Sequence, residues 1–170
     1  MRRRAGRERG KLMENQSVVH NTFVIERNYP HSPDRVFAAF ADPAKKRRWF
    51  AEGGEKHDVE SFEMDFRVGG SEHYRFRFKE GSPFPGVALT NDSTHLDIVP
   101  DQRMVTAYSM TLGGKHISAS LVTIELLPNG KGTDLICTHQ GAFFENSGGP
   151  EMREAGWRFL LDRLATELAN

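Results

Sequence analysis

Apolar and polar residues alternate with a period of two through most of the middle of the chain. "HYRFRFK" (73–79) is the clearest case: Tyr74, Phe76 and Phe78 point one way, His73, Arg75 and Arg77 the other. Such alternation predicts strands with one buried and one wet face, as in an antiparallel sheet. Turn residues fall where hairpins must reverse: Gly69-Gly70, Gly81-Ser82-Pro83, Pro100-Asp101, Gly113-Gly114 and Pro128-Asn129-Gly130. The runs between them predict six strands at about 58–68, 71–80, 86–99, 103–112, 116–127 and 132–142. An earlier run, "TFVIERNY" (22–29), adds a seventh.

The period changes twice. Ser32-Pro33 and Asp42-Pro43 each pair a capping residue with Pro at the first helical position, which predicts two short helices in tandem. Val36, Phe37 and Phe40 form the apolar side of the first, and "AKKRRWF" carries the second. Near the end, Pro150 opens a helix of about twenty residues. Glu151 and Glu154 suit its positive N-terminus. Trp157, Leu160, Leu161, Leu164 and Leu168 make one stripe, with Gly156 beside it and Arg153 projecting along it. Phe159 points away from the stripe, a candidate self-association residue should the chain form a homodimer.

The order is strand, two short helices, six strands, long helix. It predicts an α+β architecture: a curved antiparallel sheet of about seven strands wrapped around the C-terminal helix. Where sheet and helix cannot touch throughout, a pocket remains. Residues 18–170 are expected to form one domain, preceded by a basic tail over 1–17.

Charge adds little to this picture. Lys+Arg and Asp+Glu both number 23, but residues 1–11 hold six basic residues and one acidic, leaving 17 basic against 22 acidic, a net of −5. The tail has almost nothing apolar to bury, and a solvated segment is the expectation. The run Lys45-Lys46-Arg47-Arg48 sits near a helix end without a stacking platform, so no nucleic-acid surface is read there. The single cysteine, Cys137, fits a reducing compartment and reads as a buried thiol. With no export signal and no apolar run long enough to span a membrane, the expected location is the cytoplasm.

Four stretches carry a resemblance: "SPDRVFAAFADPAKKRRWF" (32–50), "FRVGGSEHYRF" (66–76), "HLDIVPDQRMVTAYSM" (95–110) and "EAGWRFLLDRLATEL" (154–168). In order and spacing the chain, over about 23–168, resembles the START-related superfamily with the helix-grip fold (SRPBCC). It is most similar to the branch containing homologues of the activator of the heat-shock-protein-90 ATPase and polyketide-cyclase-like proteins. The resemblance implies a cavity under the last helix. In the superfamily such cavities hold lipids, sterols, polyketides or other apolar molecules; some members catalyse cyclisation or dehydration, and some bind a chaperone.

No signature of a hydrolase, zinc protease or nucleotide-binding loop occurs. His73, His95, His116 and His139 lie on predicted strands near Glu72, Asp92 and Asp97, but no His-x-His pair suggests a metal, and neither metal nor cofactor is expected. The candidate cavity residues are Trp49, Phe50, Phe66, Tyr74, Phe76, Tyr108, His139, Phe143, Arg153, Trp157 and Leu160. Tyr74, Tyr108 and Arg153 are the expected polar anchors for an apolar or amphipathic small molecule. His139 or a tyrosine is the candidate proton shuttle of a cofactor-free cyclase or dehydratase. Contact with a chaperone, through the outer sheet face or the helices, is the third reading.

Overall fold

The structure, a computed structural model, describes residues 17–170; the basic tail lies outside them but for its last residue. Strand β1 (Val19–Tyr29) leads into helices α1 (Pro33–Ala41) and α2 (Pro43–Lys46). After a π-helical turn (Arg47–Ala51) come strands β2 (His57–Met64), β3 (Ser71–Phe78), β4 (Ala88–Val99), β5 (Arg103–Leu112), β6 (Lys115–Asn129) and β7 (Gly132–Phe143). Helix α3 (Gly149–Leu168) closes the chain. All seven strands form one antiparallel sheet in the order β1-β7-β6-β5-β4-β3-β2. This is the curved sheet around a C-terminal helix that the order of elements predicts.

Three register shifts bend it, between Val59 and Ser61, His95 and Asp97, and Met110 and Thr111. An extra residue in one strand sharpens local twist and coils the sheet. The concave face so made carries Phe23, Ile25, Tyr108, Val122, Ile124, Leu135 and Cys137, all in the core. Burial pushes the Cys137 thiol up to about 12, which leaves it protonated and inert.

Helix α3 is fastened by its C-terminal half. Leu161, Leu164 and Leu168 are fully or almost fully buried. Tyr29 donates its hydroxyl hydrogen to the Leu161 carbonyl at 2.8 Å, and Arg35 Nη2 donates to the Leu168 carbonyl at 2.9 Å. Arg48 grips Glu167 through Nε (3.1 Å) and Nη2 (2.6 Å), while Arg163 donates to the Trp49 and Arg48 carbonyls. These bonds clamp the helix to β1, α1 and the π turn. At the other end, Gly148 (φ 76°) and Gly149 (φ 80°) take the chain abruptly from β7 into the helix in a conformation that favours glycine. The N-terminal half of α3 crosses β3–β5 with no fully buried side chain, held to the sheet through Arg153 and Trp157.

The short helices depart from expectation in one respect. Asp42 caps α2, its Oδ1 accepting from the backbone of Ala44 (2.9 Å) and Lys45 (3.3 Å). The Ser32 side chain caps nothing, and Pro33 with Asp34 in the first turn suffices. The second helix also does not run on through Phe50. It widens at Arg47, whose carbonyl accepts from Glu52 N at 2.9 Å, the five-residue reach of a π turn. Among the described residues, no helix is long and apolar enough to cross a membrane.

Candidate functional site

The N-terminal half of α3 leaves a cavity of about 280 Å³ beneath it. Its floor is Tyr74 and Phe76 of β3, Leu89 and Asn91 of β4, and Tyr108 and Met110 of β5. Ile117, the extra residue at the β5–β6 register shift, completes it. The roof is Arg153, Trp157 and Leu160 of α3, and Phe50 closes one end. Met152, Gly156 and Phe159, on the solvent side of α3, form the mouth. Phe159, expected on the outer helix face, is half exposed but stands at this rim, because it follows Met152 by seven residues and so shares its face.

One hydrogen-bond network is built into the roof and floor. The Tyr108 hydroxyl oxygen receives Arg153 Nη1 at 3.1 Å and Trp157 Nε1 at 3.2 Å, and lies 2.7 Å from His139 Nε2. Guanidinium and indole nitrogens only donate, so both oxygen lone pairs are taken and the hydroxyl proton must go to His139 Nε2. His139 is then neutral, carrying its proton on Nδ1. Burial first, and the nearby Arg153 charge second, pull its pKa down from 6.5 to about 4. The imidazole is fully buried, stacked on Phe23 at 4.6 Å, and Nδ1 has no partner among the described residues.

This geometry revises several sequence-based expectations. His139 does not face the cavity; it backs Tyr108 and touches nothing bound there except through that hydroxyl. Phe143 likewise lies behind the wall, 1% exposed, with the Arg153 guanidinium 5.2 Å above its ring. Trp49 is no part of a pocket mouth. It is 1% exposed, in the core against Phe40, with its indole nitrogen donating to the Ala39 carbonyl at 2.8 Å. The π turn separates the two neighbours: Trp49 turns inward, Phe50 toward the cavity. Phe66 lines a smaller, adjoining void.

Neither tyrosine offers its hydroxyl proton to a ligand. Tyr74 donates to the Ala51 carbonyl at 2.8 Å and holds the end of the π turn, with His57 Nε2 3.2 Å away. Burial raises its pKa, so the proton stays. Both rings, rather than their hydroxyls, are what the cavity sees.

Arg153 remains. Nη1 serves Tyr108, Nη2 serves Ser118 Oγ at 2.7 Å, and the other N–H groups are uncommitted. Among the described residues no carboxylate pairs with it. A cation in a largely apolar wall, steadied only by hydroxyls and by the Tyr108 and Phe143 rings, is matched best by an anion arriving from outside. Sequence reasoning found this residue by its place on the apolar stripe.

It missed Glu72, which is 3% exposed, and its partners Lys46 (Nζ to Oε2, 2.7 Å) and His95 (Nε2 to Oε2, 3.9 Å). A signal was present: Glu72 shares parity with Tyr74, Phe76 and Phe78, a carboxylate on the buried face of its strand. His73, by contrast, pairs with Asp92 at 2.8 Å on the exposed face.

Comparison with known proteins agrees with this architecture. A crystal structure of the Mll3558 protein from Rhizobium loti is 50% identical, covering 89% of this chain and 99% of that one, with a TM-score of 0.79. An uncharacterized protein from Rhizobium leguminosarum is 35% identical over 90% of this chain and 97% of its own, with a TM-score of 0.83. The solution structure of an AHSA1-like protein from Aeromonas hydrophila is 21% identical, covers 88% of this chain and 92% of its own, and shares the fold with a TM-score of 0.63. No curated protein sequence matches the chain. The sequence model of the family "Activator of Hsp90 ATPase homolog 1-like protein" matches residues 30–169, and the chain belongs to that family.

Proposed function

We propose that the protein binds a small, mainly apolar molecule with one anionic group in the cavity under the N-terminal half of α3. The observation that carries this reading is Arg153: a guanidinium with no carboxylate partner among the described residues, in the roof of a mainly apolar space of about 280 Å³. The apolar body lies against Phe76, Leu89, Met110 and Leu160. The anion meets the uncommitted N–H groups of Arg153, whose orientation Tyr108 and Ser118 fix in advance. A guanidinium suits a planar carboxylate, which it grips through two N–H groups at once.

Decanoic acid is a fitting probe. Its apolar carbons contribute roughly 7 kcal/mol at about 0.8 kcal/mol each. Association costs offset part of that gain, and the charge-assisted bonds to Arg153 restore some of it. In Arg153→Met, which keeps length and apolar surface, calorimetry should show decanoate binding about tenfold weaker, the worth of one charge-assisted pair. Binding of methyl decanoate, which bears no charge, should not change. Equal decanoate affinity in the variant and the parent chain would remove Arg153 from the site.

A further inference from the structure

The Lys46–Glu72–His95 cluster borders a second void of about 40 Å³, lined also by Asn91, Ser93 and Thr106. The two spaces are successive sections of one groove along the concave sheet face. On β4 the inward residues run Leu89 and Asn91 in the main cavity, then Asn91, Ser93 and His95 in the small one. On β5 they run Met110 and Tyr108, then Tyr108, Thr106 and Met104. The sections meet where Phe50 and Trp157, with ring centroids 6.5 Å apart, stand over Asn91 and Tyr108. Along this groove the largely apolar lining gains polar groups.

The Lys46–Glu72 pair ties α2 to β3, and that alone accounts for its burial. It does not account for His95. The ring is 2% exposed; Nδ1 is 3.3 Å from Thr106 Oγ1, while Nε2 has no hydrogen-bond partner among the described residues. A buried polar atom without a partner is costly, and here it sits on a void larger than one water needs. We infer that this cluster is a second subsite, continuous with the main cavity, which receives a neutral hydroxyl group at the far end of the same ligand.

The inference rests on the binding role proposed above and adds the ligand's second functional group. Charge selects it. Glu72 repels a carboxylate, and Lys46, 2.7 Å from Glu72, repels an ammonium group. His95 adds no charge to the balance: burial and then Lys46 hold its pKa below the usual value, with Glu72 pulling the other way. Donors (Lys46 Nζ, the Asn91 amide) and an acceptor (Glu72) converge on one small space beside His95 Nε2, which donates or accepts according to the tautomer that Thr106 sets. A hydroxyl both gives and takes a hydrogen bond, and the void holds little more than that. Ser93 Oγ, which donates to Asn91 Oδ1 at 3.0 Å, helps orient that amide.

The test compares decanoic and dodecanoic acids with their ω-hydroxy derivatives by calorimetry on the full chain. At least one hydroxy acid should bind about tenfold more tightly than its parent acid. That gap should close in His95→Phe, which keeps the ring beside Phe66, while the affinity for the parent acid is unchanged. Should His95→Phe not fold, Ser93→Val fills the small void from a strand position suited to valine, and it should close the gap equally. Equal binding of hydroxy and parent acids by the unmodified chain, or a gap that survives these substitutions, overturns the subsite and leaves the cavity's role standing. Absence of binding by any of these acids overturns both.

Discussion

Replacing Gly156 by phenylalanine should leave the protein folded and lower its affinity for decanoate roughly a hundredfold. Glycine in mid-helix costs about 0.5–1 kcal/mol relative to alanine, so on stability alone the position is poorly filled. A Cβ built there meets no atom within 4 Å, and the position stands at the cavity mouth among Met152, Arg153 and Leu160. An added ring therefore has room, and the room it takes is the ligand's. Displacing somewhat under half of the apolar contact forfeits about 3 kcal/mol, which is a hundredfold in Kd. Gly156→Ala should raise the melting temperature slightly and affect binding little. Thermal melts and calorimetry on the two variants check both halves, and undiminished binding by Gly156→Phe places the ligand elsewhere.

The second large effect is on stability below neutral pH. His139 is held neutral when folded, with its pKa at about 4 against an ordinary 6.5. Between those values the unfolded chain binds the proton that the folded one refuses. Stability is thus complete above pH of about 6.5 and declines as pH falls toward about 4, by roughly 3 kcal/mol from this group. Burial is the chief cause, and a protonated His139 would also place a cation beside Arg153 and aim a third donor at the Tyr108 oxygen. His57 and His95, their pKa values also lowered chiefly by burial, add to the decline with the same sign. Urea unfolding from pH 7 to about 4.5 should show the midpoint falling steadily. In His139→Gln, whose amide oxygen still accepts from Tyr108 but does not titrate, the fall should be shallower; an identical slope contradicts the account.

The sheet was legible because the sequence writes both its period and its punctuation: the alternation in 73–78 and the glycine turns at 69–70 and 113–114 recur at the observed strand ends. The long helix was legible from its stripe, as was Arg153 from its position along it. Three things were not. The i→i+5 turn at Arg47–Ala51 has no sequence pattern of its own, so the opposite fates of Trp49 and Phe50 were hidden. Depth was hidden too, since a period of two says that Tyr108 and His139 both point inward but not that one stands behind the other. Finally, Lys46, Glu72 and His95 are far apart in sequence and meet only because α2 folds back on β3 and β4. Chemistry assembled across elements leaves at most a parity error, such as a carboxylate on the buried face of its strand.

Native mass spectrometry of the freshly purified full chain tests most directly whether the space under α3 is a binding site, and it counts subunits in the same spectrum. Each chain should carry one small molecule or, if stripped by organic extraction, take up one equivalent of decanoate or ω-hydroxydecanoate, and Gly156→Phe should carry and take up neither. A bare chain, both as purified and after incubation with these acids, would contradict the account.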